Sequence, residues 1–143
     1  SEMSGAKLAG ADLSDALLEG ANLENADLRN ANLHSARLLA VQLKDASGEN
    51  TGRLWPANLT GANLAGANLA EADLGNARLN NADLRGADLT GANLSNADLD
   101  GALIADANMT ETNLENALMD NAIREAEPAD GAEEDQLDVA VGA

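Results

Sequence analysis

Ala62-Asn63-Leu64-Ala65-Gly66-Ala67-Asn68-Leu69-Ala70-Glu71-Ala72-Asp73-Leu74 places a leucine at every fifth residue, with alanine two positions earlier and aspartate or asparagine between them. The same Ala-(Asp/Asn)-Leu-x-x unit reaches back to Leu59 and forward to Met119, thirteen units in one register. It recurs as eight units from Leu8 to Leu43. Val41 and Thr112 stand in for the alanine, and Ile104, Met109 and Met119 for the leucine. Repetition at a fixed short period sets the architecture before local propensities do.

A period of five suits neither regular element. In an α-helix each leucine would be rotated by roughly 140° from the last, winding apolar residues around the whole surface. In a straight strand an odd repeat sends successive leucines to opposite faces. The chain must therefore bend once per unit. Alanine and leucine, two apart, share a face in extended backbone, and the pair that follows (Ser14-Asp15, Glu19-Gly20, Thr60-Gly61, Asp100-Gly101) suits a turn. Short inward-facing segments alternating with corners describe a solenoid with leucine and alanine along its axis. Aspartate or asparagine before each leucine is expected to hydrogen-bond backbone near the corners.

These tandem units, as in Ala11-Asp12-Leu13, Ala21-Asn22-Leu23 and Ala97-Asp98-Leu99, resemble those of the pentapeptide-repeat proteins; twenty-one of them cover 105 of the 143 residues. The resemblance implies an all-β fold, a right-handed quadrilateral β-helix with four units per coil. It would have about five coils and a length of about 25 Å at the spacing of neighbouring strands. Leu13, Leu23, Leu64, Leu84, Leu94, Ile104 and Met109 are expected core residues. With one tryptophan and no phenylalanine or tyrosine, a core of aromatic anchors is excluded, and stacking of coils must supply burial instead.

The registers of the two blocks differ by one residue, so the stretch between Leu43 and Leu59 holds an insertion. Lys44 to Pro56, which carries Gly48, Asn50, Gly52 and Pro56, reads as a loop, with the excursion over about residues 44–53 and Leu54 already back in the second register. Projecting loops on rigid scaffolds carry binding, which makes Asn50, Arg53 and Trp55 the candidate contact residues; the plainer reading is a tolerated insertion with Trp55 packed on the wall. The expected organisation is a repeat domain over 1–122 and an acidic C-terminal tail or cap over 123–143, beginning near Arg124, where leucine would fall.

A formal net charge of −17 disfavours direct contact with DNA, RNA or anionic lipid, because phosphate contacts need lysine and arginine. A protein partner with a basic surface fits better. No apolar run approaches the roughly 20 residues of a membrane span, and no signal peptide stands out. The compartment is unreadable: cytoplasmic, or periplasmic or thylakoid-lumenal if an upstream signal was removed. Cysteine is absent, which excludes thiolate chemistry. His34, the only histidine, sits at an outward position beside Ser35 without an evident third partner for a hydrolytic triad. No enzyme, cofactor or metal site is expected.

Two function classes stand. One is a rigid interaction or structural scaffold for a protein partner, monomeric or joined end to end as a homodimer. The other follows from the resemblance, since some pentapeptide-repeat proteins imitate duplex DNA in width and charge and bind DNA gyrase. The charge of −17 suits mimicry, whereas the missing phenylalanine at the central position departs from the gyrase-directed pattern.

Overall fold

The computed structural model describes residues 2–124. Its backbone coils into a four-sided solenoid whose sides are parallel ladders of single bridge pairs. The first side runs Glu2, Asn22, Asn58, Arg78, Asp98, Leu118; the second Lys7, Asp27, Asn63, Asp83, Leu103, Ile123. The third runs Asp12, Asn32, Asn68, Asp88, Asn108, and the fourth Leu17, Arg37, Asp73, Asn93, Asn113. Partners stand twenty residues apart, four units per turn, and six rungs on the first side span about 24 Å at strand spacing.

Each corner is a four-residue turn. The alanine N–H returns to the carbonyl of the leucine three residues before it, as in Ala62 to Leu59 at 3.0 Å, and the third turn residue has φ near +60°. That is the type II arrangement, which explains why glycine and asparagine recur there. Where the residue before the leucine is aspartate or asparagine, it closes the corner from outside. Asn58 Oδ1 accepts from Thr60 N–H at 3.0 Å, Asp88 Oδ1 from Thr90 N–H at 3.0 Å, and Asp98 Oδ1 from Asp100 N–H at 3.1 Å. Between coils, leucine N–H groups donate to the coil above, as in Leu64 to the Asp83 carbonyl at 2.7 Å. Thus the backbone bonds that burial requires come from the ladder and the turns.

The axis is filled almost wholly by leucine and alanine, with Ile104 among them, and no polar residue is buried among the described residues. Leu23, Leu64, Leu84 and Leu94 are fully enclosed, and Ile104 is 7% exposed. Leu13 and Met109 pack against the same core but are only partly buried, because they belong to the first and last of the described coils. Thr112, standing where alanine is usual, satisfies its hydroxyl on the Leu89 carbonyl at 2.7 Å.

The interruption differs from its expected form. Between Asn22 and Asn58, and on the three sides that follow, bridge partners are thirty-six residues apart, so this coil holds sixteen extra residues, Val41 to Pro56. Sixteen is three units and one residue, which produces the register shift. Instead of a loop over 44–53, the insertion is an antiparallel hairpin of β1 (Val41–Lys44) and β2 (Asn50–Trp55). Leu43 is therefore not a repeat unit: it pairs with Arg53 in the hairpin, and Leu54 pairs with Gln42. Alternation in a strand also sets apolar residues two apart, and Val41-Gln42-Leu43 imitates the unit for that reason. Met3, whose neighbour Glu2 bridges to Asn22, is a central residue at the other end. Of the expected acidic tail or cap over 123–143, everything from residue 125 on lies outside the described residues.

Candidate interaction surface

The hairpin leaves the rod at the corner between the fourth and first sides, after Leu38-Leu39-Ala40. Its tip is locked by Asp45, whose Oδ1 accepts from Ser47 Oγ at 2.6 Å, Ser47 N–H at 2.9 Å and Glu49 N–H at 3.0 Å. Those donors, the serine hydroxyl foremost, hold the Asp45 carboxyl below its ordinary pKa. The three contact residues expected from sequence share this element but differ in setting. Asn50 donates its side-chain amide to Gln42 Oε1, tying the strands together. Arg53 is exposed opposite Leu43. Trp55, opposite Val41, is 59% exposed even though its ring edge lies against the rod at Gly20. A side-chain carbon at Gly20 would come 2.8 Å from Val41 Cγ2 and 3.2 Å from Trp55 Cδ1, so the bare glycine is what lets the foot of the hairpin sit down.

Beside that foot a recess of about 420 Å³ opens on the first side, lined by Glu2, Gly20, Ala21, Asn22, Trp55, Pro56, Asn58 and Arg78. Sequence reasoning found Trp55 as the sole aromatic but not the residues facing it. Asn58 and Arg78 sit in ordinary repeat units, and only the twenty-residue coil and the placement of the insertion bring them alongside. Asn22 Oδ1 and Asn58 Oδ1 cap turns (Glu24 N–H at 3.1 Å, Thr60 N–H at 3.0 Å), which turns their NH₂ groups outward. Asn22 Nδ2 donates to Glu2 Oε2 at 2.7 Å. Asn58 Nδ2 has no partner among the described residues.

Elsewhere several acids are engaged. Arg29 donates to Asp27 through Nε at 2.8 Å and Nη2 at 2.6 Å, which with the Arg29 backbone N–H holds the Asp27 carboxyl down at about 2. Arg85 grips Asp83 in the same way and lowers it. Arg37 pairs with Glu19 at 3.3 Å. Asp12 and Asp88 are lowered by the hydroxyls and backbone N–H groups of Ser14 and Thr90. His34 is exposed on a corner of the third side, its Nδ1 3.2 Å from Ser35 Oγ and remote from the recess. Among the described residues no cluster of histidine, aspartate or glutamate is arranged to hold a metal, and no helix is long and apolar enough to cross a membrane.

The profile of the pentapeptide repeats matches residues 1–47, 57–96 and 97–123 in eight copies. Among solved structures the chain is 33% identical to the pentapeptide-repeat protein Rfr23 of the cyanobacterium Cyanothece 51142, over 73% of this chain and 64% of that one, with a TM-score of 0.44. It is 32% identical to HetL of Nostoc sp. strain PCC 7120, a protein involved in regulating heterocyst differentiation, over 86% of this chain and 61% of that one, with a TM-score of 0.40. It thus spans less than two thirds of either relative. QnrB1, a plasmid-mediated fluoroquinolone resistance protein, is 16% identical over 96% of both chains, with a TM-score of 0.27. No curated protein matches. With the profile covering most of the chain and its five-residue unit turning a corner at each side of the solenoid, the protein belongs to the pentapeptide-repeat family and to its right-handed quadrilateral β-helix fold.

Proposed function

We propose that the protein is a non-enzymatic scaffold that engages a protein partner through the hairpin Val41–Trp55 and the first side beside it. One observation carries this reading: the only interruption of the described coils is an ordered hairpin that keeps the chain's sole aromatic residue more than half exposed. A large aromatic side chain held on a rigid support is the kind of anchor on which binding energy concentrates. The repeat domain, residues 1–122, serves as the support, and the net charge of −17 favours a partner with a basic surface. The test compares affinity capture by the native chain and by a variant lacking Val41 to Pro56, followed by titration with the purified partner. A partner held by both chains with equal affinity would refute the assignment to the hairpin.

A second reading, DNA mimicry directed at gyrase, draws on the family resemblance and on the charge. Asparagine interleaves the acids on the first three sides, and Asp27 and Asp83 are neutralised by their own arginines, which thins the row of free charges that mimicry requires. Salt-sensitive binding to gyrase that competes with DNA would favour it; undisturbed supercoiling at saturating protein would remove it.

A further inference from the structure

We propose that the recess at the foot of the hairpin is a carboxylate-binding site for an apolar or aromatic acid. The carboxylate sits on Arg78 and Asn58 Nδ2, and the apolar body lies against Trp55 and Pro56. The inference rests on the reading of the hairpin side as the contact surface and names what that surface takes.

Four observations converge. Arg29, Arg37 and Arg85 each face an acid within ion-pair range, whereas Arg78, like Arg53 and Arg124, has none among the described residues, and of these three only Arg78 lines the recess. Asp98, one rung above, is turned to its own corner, accepting from Asp100 N–H at 3.1 Å. Glu2 lines the same recess three rungs below Arg78 along the first side, and its carboxylate is held on Asn22 Nδ2 at 2.7 Å. Asn58 is bridged to Arg78 as the adjacent rung, and its cap bond leaves Nδ2 as a second donor beside the guanidinium. A guanidinium and an amide carried on adjacent rungs can donate together to the two oxygens of a carboxylate. The wall opposite is the exposed Trp55 ring with Pro56, and the volume of about 420 Å³ lies in the range of small-molecule sites. Cation, amide and aromatic surface converge nowhere else among the described residues.

The chemistry has two sources, a free small acid or the C-terminus of a peptide, and the probes separate them. Because Trp55 is the only tryptophan and no tyrosine is present, its emission reports the recess alone. The folded chain is titrated at physiological ionic strength with 3-phenylpropionate, 3-phenylpropanamide and acetate, then with acetyl-Gly-Gly-Phe as free acid and as amide. A saturable change in Trp55 emission with 3-phenylpropionate is expected, with the amide and acetate at least about tenfold weaker, since a hydrogen bond to a charged group is at stake. A peptide acid tighter than 3-phenylpropionate identifies a chain terminus as the ligand; a weaker one identifies the free acid. Arg78→Gln should abolish the preference for acid over amide at an unchanged melting temperature, and Arg78→Lys should keep part of it. Equal response to acid and amide, a flat titration, or an acid preference that survives Arg78→Gln would overturn the site. A flat titration with hairpin-dependent partner capture intact removes the site and leaves the scaffold; carboxylate-dependent binding without a hairpin-dependent partner does the reverse.

Discussion

Removing Val41 to Pro56 and replacing Ala40 with glycine should leave a folded rod slightly more stable than the native chain. The deletion joins Leu38-Leu39-Gly to Ala57, recreating a standard corner. In the native chain eighteen residues separate Leu38 from Ala57, where an ordinary corner has two; closing the shorter connection recovers about 2 kcal/mol. Two backbone bonds that other corners make are missing here, Ala57 N–H to the Leu38 carbonyl and residue 40 N–H to the Gly75 carbonyl, and their return adds about 1 kcal/mol each. Against this stands the docking of Val41 and Trp55 on Gly20. Trp55 is about two-fifths covered, so on the order of 100 Å² and about 2 kcal/mol are lost. The hairpin's internal contacts do not enter, because an isolated two-stranded hairpin is marginal by itself. The net gain is about 2 kcal/mol, or roughly 5–10 °C in melting temperature. Far-UV circular dichroism is the assay, since the variant has no aromatic residue. Keeping Ala40 should forfeit about 1 kcal/mol of the gain, because the third turn residue needs positive φ. A melting temperature lowered by more than about 5 °C, or a broadened transition, would mean that the coils depend on the hairpin and would refute this account.

In the enclosed core, Leu84→Ala should cost about 3 kcal/mol and Leu13→Ala clearly less, because Leu13 is only partly buried; Leu84→Asp should abolish folding. Equal penalties at 84 and 13 in urea melts would contradict the burial pattern. Gly86 and Gly101 both have positive φ, 71° and 76°, yet a side-chain carbon at Gly86 meets open space while one at Gly101 collides with Asn81 Oδ1 in the coil below. Gly86→Ala should cost about 1 kcal/mol and Gly101→Ala about twice that, with Asn81→Gly erasing the difference; identical melting curves would count against the stacked contact. Acid should destabilise the rod late. Asp27 falls from an ordinary 3.8 to about 2 on folding, chiefly through Arg29, so its contribution is present above about pH 4 and disappears as pH drops towards 2. Asp12, Asp83 and Asp88 are lowered as well and act in the same sense. Melting temperature should therefore drop between about pH 4 and pH 2, less steeply in Asp27→Asn; a continuous rise to pH 2 would show that relief of the −17 repulsion dominates.

The period of five disclosed the rod because it is a geometric signal: no regular element returns a leucine to one side every fifth residue, so the corners followed from spacing alone. The ends of the repeat were less legible. Val41-Gln42-Leu43 passes for a unit because strands and repeat segments both put apolar residues two apart. Met3 escaped notice because no alanine precedes it, although Met109 and Met119 show that methionine fills the central position. The hairpin read as a loop because Gly48, Gly52 and Pro56 mask its alternation. Of the recess, Trp55 could be named from composition. Its companions could not, since Arg78 lies twenty-three residues away in sequence and becomes a neighbour only after four corners and a ladder rung.

Where surface function can be written on such a rod follows from which positions the fold leaves open. The central leucine and the alanine are enclosed, and the third turn residue is held to positive φ. The residue before leucine is drawn to aspartate or asparagine because its Oδ1 caps the turn. Any other residue there gives up a cap worth about 1 kcal/mol. Arg78 is such a departure, and the backbone N–H of Asn80, which a cap at 78 would satisfy, has no acceptor among the described residues. Arg78→Asn should therefore raise stability by about 1 kcal/mol while removing the preference of the recess for acids. Thermal melts and the Trp55 titration on the same sample separate the two effects. If the variant is no more stable than the native chain, the capping argument fails; if it is more stable yet still prefers the acid, Arg78 is not the residue that reads the carboxylate. Gain of stability with loss of binding is the outcome expected of a position where the repeat has yielded to its ligand.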